Sequence, residues 1–231
     1  MTTTAVVTGA SSGMGLFASV ELAKRGLDVV ATVRDTLRDT LRAGALLGAA
    51  EQVGVSVQVA ELEVTAPDAA DRLAAIAADH DGIDVLINNA GRGCVGTAED
   101  LTMEEIEAQL AVNYLGPVRL TKAVLPAMRE RGQGRILTVT SVGGVVGQPF
   151  AAAQQAADAG RAIADAATSD DYRFRWQTSE AAERFAGDDL HLSFFDDRLT
   201  PANTISASSQ SSACRPSSCA MVNWIASTRA K

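Results

Sequence analysis

Near the start of this 231-residue chain, Thr8-Gly9-Ala10-Ser11-Ser12-Gly13-Met14-Gly15 puts three glycines and two serine hydroxyls within one turn's reach. That pattern suits a phosphate cradle. Gly9 lets the chain turn sharply, while Gly13 and Gly15 have no side chains to hold a pyrophosphate away from the backbone. Downstream, Thr32-Val33-Arg34 ends an apolar run with a guanidinium. A cation there can clamp a ribose 2′-phosphate through charge-assisted hydrogen bonds. Asp35 beside it can pair with Arg34 or repel that phosphate.

These residues need a scaffold, and the apolar pattern supplies one. Ala5-Val6-Val7 reads as a strand leading into the glycines. Leu16, Phe17, Val20 and Ala23 then recur at helical spacing, with Lys24 and Arg25 in the last turn and Gly26 as the stop. The helix presents unpaired N–H groups and its positive dipole end to an anion. Asp28–Val33 reads as a second strand, and the repeat Asp35–Arg42 as a helix with Leu37 and Leu41 on one face. Val55, Val57 and Val59 alternate as a third strand running on to Leu62-Glu63-Val64. Thr65 and Pro67 open a helix with Leu73 and Ile76 inward, and His80 falls at its end as a surface residue. Ile83–Ile87 is a fourth strand, running into Asn88-Asn89-Ala90-Gly91. Thr102 and Glu105 form a capping box for a helix with Ile106 and Leu110 inward and Asn113 on the same face. Residues 117–131 read as a long helix with Val118, Thr121, Leu125 and Met128 along one stripe. Arg135–Thr140 is a fifth strand ending at Ser141. Alternating strands and helices predict an α/β, Rossmann-like doubly wound parallel sheet of strand order 3-2-1-4-5 over residues 1–150.

Bulk properties narrow the partners. A net charge of −8 argues against nucleic acid and anionic membrane surfaces. No apolar stretch approaches a membrane span, and the first residues carry no signal-like core. Three cysteines, Cys94, Cys214 and Cys219, suit a reducing compartment, so the expected location is cytoplasmic. Cys214 and Cys219 lack a second pair of ligands, so no metal site is expected.

The glycine turn, the Asn-Asn-Ala-Gly tetrad after the fourth strand, Val112–Gly116 and Ser141–Phe150 together resemble the short-chain dehydrogenase/reductase family. The likeness is nearest its steroid and retinol dehydrogenase-like branch. It implies an oxidoreductase that moves hydride between a nicotinamide cofactor and a carbonyl or secondary alcohol on a small molecule. It assigns Gly9, Ser11, Ser12, Gly13, Met14, Gly15, Arg34, Glu63, Val64, Asn89, Ala90 and Gly91 to cofactor binding, and Arg34 favours NADP over NAD. Glu63 stands where the family has an Asp that contacts the adenine. Ser141 is implied as the catalytic serine, bonding the carbonyl and stabilising the developing alkoxide, and Asn113 as the catalytic asparagine that holds a water in a proton relay. The 117–131 helix is implied in a homo-oligomer interface.

The resemblance fails after Phe150. The family pairs a proton-donating Tyr with a Lys four residues later, which lowers the Tyr pKa. At that spacing this chain has Gln154 and Asp158, and past Ser141 its only Tyr is Tyr172 and its only Lys is Lys231. Residues 151–198 read as an atypical helical remnant of the substrate side, including an alanine-rich helix over 151–167 and an edge strand at Leu190–Phe195. Residues 199–231 read as a serine-rich tail expected to be disordered. An internally deleted or frame-altered relative fits this break. Three readings follow: a reductase, an inactive NADP(H)-binding protein, and a truncated product.

Overall fold

The computed structural model describes residues 2–36, 40–93, 99, 101–141, 163–169, 175–177 and 223–229, with side chains left out at 40–42, 141, 175–177 and 223–229. Strands β1 (Thr4–Val7), β2 (Asp28–Val33), β3 (Gln58–Glu61), β4 (Val85–Asn88) and β5 (Arg135–Ser141) run parallel in the order β3-β2-β1-β4-β5. Register places Ala5 between Val29 and Val85. Strands β1, β2 and β4 are buried along nearly their whole length, which is why they read as almost continuous apolar runs.

Helices α1 (Gly13–Lys24) and α2 (Thr40–Gln52) cover one face, and α3 (Ala69–Asp79) and α5 (Gly116–Glu130) the other. A helical stretch over 163–168 joins the first layer. Its Ile163, Ala164, Ala166 and Ala167 are buried. Arg135 Nη1 and Nη2 donate to the carbonyls of Ala166 and Ser169 at 2.7 and 2.6 Å, satisfying groups that a helix end leaves open. Arg25 pairs with Asp165 at 2.7 Å.

The sheet continues past β5 with two antiparallel strands, β6 (Arg175–Gln177) and β7 (Asn223–Arg229), in the order β5-β7-β6. Sequence patterning expected neither, and β7 falls within the serine-rich 199–231 segment. The edge strand expected at Leu190–Phe195 lies outside the described residues.

Three expectations about side chains need correction. Leu110, expected inward, is 53% exposed. α4 (Met103–Leu110) buries none of its residues, and a π-helical turn, Ala111–Leu115, separates it from α5. Within α5, Leu120, Val124 and Met128 are buried and Val118 is exposed, so the inward stripe differs from the expected one. His80 is also more than a surface residue. Its side chain is 11% exposed and Nδ1 lies 2.7 Å from Asp28 Oδ2, tying α3 to β2 at the end remote from the glycine turn.

Candidate functional site

The turn after β1 is shaped by its neighbours as much as by its own residues. Gly9 has φ +65°, and a Cβ there would lie 2.7 Å from Ala90 Cα. Gly15 brings α1 onto the end of β4. A Cβ on it would collide with Asn89 Nδ2 and lie 2.6 Å from Gly9 O. Gly13, at φ +59°, has nothing within 4 Å of its Cβ position. The three glycines therefore divide the work: turning, leaving space, and close packing.

Thr8 holds this arrangement. Its hydroxyl donates to Ile87 O at 3.3 Å and accepts from the N–H groups of Asn89 and Ala90, each at 3.0 Å. Asn89 Nδ2 donates to the carbonyls of Thr8 and Gly9 at 2.9 and 3.1 Å. Thr8 is absent from the sequence-derived site. The signal was there, since a hydroxyl directly precedes the glycines, but its partners lie on β4 and only the strand order brings them near.

One cavity of about 340 Å³ opens beside the turn. Gly9, Ser11, Ser12, Gly13, Met14 and Arg34 line it, as do Glu63, Val64, Asn89, Ala90 and Gly91. Of the residues expected to hold a cofactor, only Gly15 does not, because it is turned into the packing described above. Leu62, Arg92 and Val112 line the cavity as well and were not anticipated. Ser12 caps α1 without a side-chain hydrogen bond, and the first turn of α1 carries no acidic residue. The helix end at the cavity thus meets no carboxylate from its own first turn. Arg34 is exposed and has no carboxylate partner among the described residues, so it is not paired to Asp35. Glu63 differs: its Oε1 accepts from the Thr65 N–H at 3.1 Å and the Thr65 hydroxyl at 2.9 Å. That carboxylate is folded back onto the next turn.

Asn113 sits in the π-helical turn and outside the cavity lining. Its Nδ2 donates to Arg92 O at 2.7 Å and its Oδ1 accepts from Arg92 N at 2.9 Å. The carboxamide clasps both backbone groups of a cavity-wall residue. Ser141 ends β5, at the carboxyl edge of the sheet where the cavity lies, and its register partner is Asn223. Gln154, Asp158, Tyr172 and the three cysteines lie outside the described residues. Among the described residues no cluster of His, Cys, Asp and Glu could hold a metal, and no helix is long and apolar enough to cross a membrane.

A family model described as short chain dehydrogenase matches residues 3–172. Human retinol dehydrogenase 8 is 41% identical over 152 residues, covering 64% of this chain and 47% of that protein. Estradiol 17-beta-dehydrogenase 1 of Rattus norvegicus is 41% identical over 152 residues, covering 64% and 43%. The chain therefore spans less than half the length of these relatives. Among solved structures, a metagenomic short-chain oxidoreductase in complex with NADP superposes with TM-score 0.57 at 32% identity, covering 64% of this chain and 66% of that one.

Proposed function

The chain belongs to the short-chain dehydrogenase family, on its retinol and steroid dehydrogenase side, and on that premise we propose that it binds NADP(H) in the cavity beside the glycine turn. The observation that carries this reading is the convergence of the turn, Arg34 and the ends of β3 and β4 on one cavity. The fit is chemical as well as spatial. The open Cβ position at Gly13 leaves room for a phosphate at the N-terminus of α1. Arg34, unpaired among the described residues, suits a 2′-phosphate, which supports NADP over NAD. The NADP in the related structure is consistent with this.

When bound, the nicotinamide supplies or accepts a hydride, and the reaction we assign is interconversion of a carbonyl and a secondary alcohol on a small molecule. The chain's own residues would act around that transfer. Ser141 would hold the carbonyl oxygen from the end of β5, and Asn113 would orient the wall through Arg92. A second reading, cofactor binding without turnover, is favoured by the lack of any Tyr after Ser141 except Tyr172 and any Lys except Lys231. Loss of a positioned proton donor costs about 10²–10⁴ in rate.

Fluorescence titration with NADPH and NADH tests the proposal. Saturable binding that is tighter for NADPH is expected, and binding of neither sinks it. Incubating the NADPH complex with aldehydes and ketones then separates the two readings: oxidation of NADPH supports the reductase, and unchanged NADPH supports binding alone.

A further inference from the structure

Resting on the NADP(H) reading above, we infer that Arg119, on α5 and outside the cavity, is a positioning residue for the adenosine half of the cofactor. Strand order sets which half lies where. Arg34 follows β2 and Leu62-Glu63-Val64 follows β3, while the glycine turn follows β1 and Asn89–Arg92 follows β4. A cofactor with its 2′-phosphate on Arg34 and its diphosphate on the turn must lay its adenosine over β2 and β3. The wall it meets there is Leu62–Val64.

That wall has left the sheet. Register pairing of β3 with β2 ends at Val33–Glu61, and the Leu62 N–H makes a last bond to Val33 O at 2.8 Å. Beyond it, the wall is held from the helix layer. Arg119 Nη1 donates to Val64 O at 2.8 Å in a partly buried setting. Gly116 allows the helix this close, since a Cβ there would lie 3.0 Å from Val64 Cγ2. Among the described residues Arg119 has no carboxylate partner, so its charge is spent on one carbonyl of the wall. A charge-assisted bond of this kind is roughly twice as strong as a neutral one.

The same rod carries Asn113, whose carboxamide clasps Arg92 on the β4 side. Residues 113–119 therefore hold walls of the cavity at both β3 and β4. Losing Arg119 frees the β3 wall and leaves the clasp on Arg92 in place.

The test compares NADPH with adenosine 2′,5′-bisphosphate, which carries only the adenosine half, on wild-type chain and Arg119→Met. Measurements are made at a temperature where circular dichroism shows both fully folded. Both ligands are expected to weaken by the same factor, about 10-fold, the scale of one charge-assisted hydrogen bond. A purely structural role would lower the melting temperature and leave both affinities of the folded protein unchanged, which would overturn the inference. Weakening of NADPH without weakening of the bisphosphate would overturn it too. If Arg119→Met does not fold, Arg119→Lys decides, because it keeps a charged donor in poorer geometry. A smaller loss shared by both ligands supports the role, and wild-type affinity for both overturns it. Failure of the wild-type chain to bind NADPH at all would remove the NADP(H) reading and this inference together.

Discussion

Thr8 and Asn89 bind each other twice: the Thr8 hydroxyl accepts from the Asn89 N–H at 3.0 Å, and the Asn89 carboxamide returns a bond to Thr8 O at 2.9 Å. With its further bonds to Ala90 and Ile87, this hydroxyl uses one donor and two acceptor positions, its full capacity. Thr8→Val keeps the shape and removes the acceptor. The Asn89 N–H keeps its second bond to Ile87 O at 3.0 Å, so the Ala90 N–H is the one left unpaired, at a cost of about 1–3 kcal/mol, read as a lower urea midpoint. Thr8→Ser should retain most of the stability. Equal stability of the Val and Ser variants would contradict the bonding described.

Gly15 and Gly13 should differ in where the main loss falls, in stability for the first and in binding for the second. Helix propensity alone favours Ala over Gly by about 1 kcal/mol. Gly15→Ala should nevertheless destabilise the fold, because the new methyl meets Asn89 and the Gly9 carbonyl. Gly13→Ala meets no protein atom, so its stability cost should be only the left-handed backbone penalty, about 1–2 kcal/mol. Its larger effect should be on NADPH affinity. Thermal unfolding and titration of the two variants side by side check this.

Arg34→Ser removes the only candidate partner for a 2′-phosphate that we assign. NADPH affinity should fall roughly 10- to 100-fold, the scale of a hydrogen bond to a charged group, with NADH affinity nearly unchanged. Equal losses for both cofactors would place the 2′-phosphate elsewhere.

Acid should loosen two surface ties. The Lys24 hydrogen bond, joined by the charges of Lys24 and Arg25, holds the Glu21 carboxyl below its usual range. Arg72 does the same to Asp68, first by hydrogen bonding and then by charge. A depressed carboxyl pKa in the folded state gives stability that is complete above the ordinary carboxylate range. That stability is lost as the pH falls through this range to the depressed value. Lys24→Met and Arg72→Met should each flatten the acid limb of the stability–pH curve and leave its shape above neutral pH unchanged.

Strands β1, β2 and β4 were legible because strands buried on both faces demand nearly unbroken apolar runs, and the glycine turn because its geometry admits few other residues. The tie at Thr8 was not legible, since its partners come from β4 and adjacency is decided by topology. The phase of α5 was hidden for a different reason. Val118 and Leu125 recur at helical spacing as well as Leu120 and Val124, so spacing alone does not say which stripe of α5 meets the sheet. Past Phe150 the pattern offered little: β7 is a polar-rich strand recognisable only through its pairing with β5.

That pairing has a consequence for how the protein is made. Ser141 is in register with Asn223, and Arg135 with Arg229. A growing chain can complete the five parallel strands, yet one side of β5 must wait for the whole intervening segment to be synthesised. At roughly 5–20 residues per second the delay is several seconds. Throughout it, a row of unpaired backbone groups is open to any neighbouring strand, including the same strand on another ribosome. Crowded translation is therefore a condition under which this fold is exposed to misassembly.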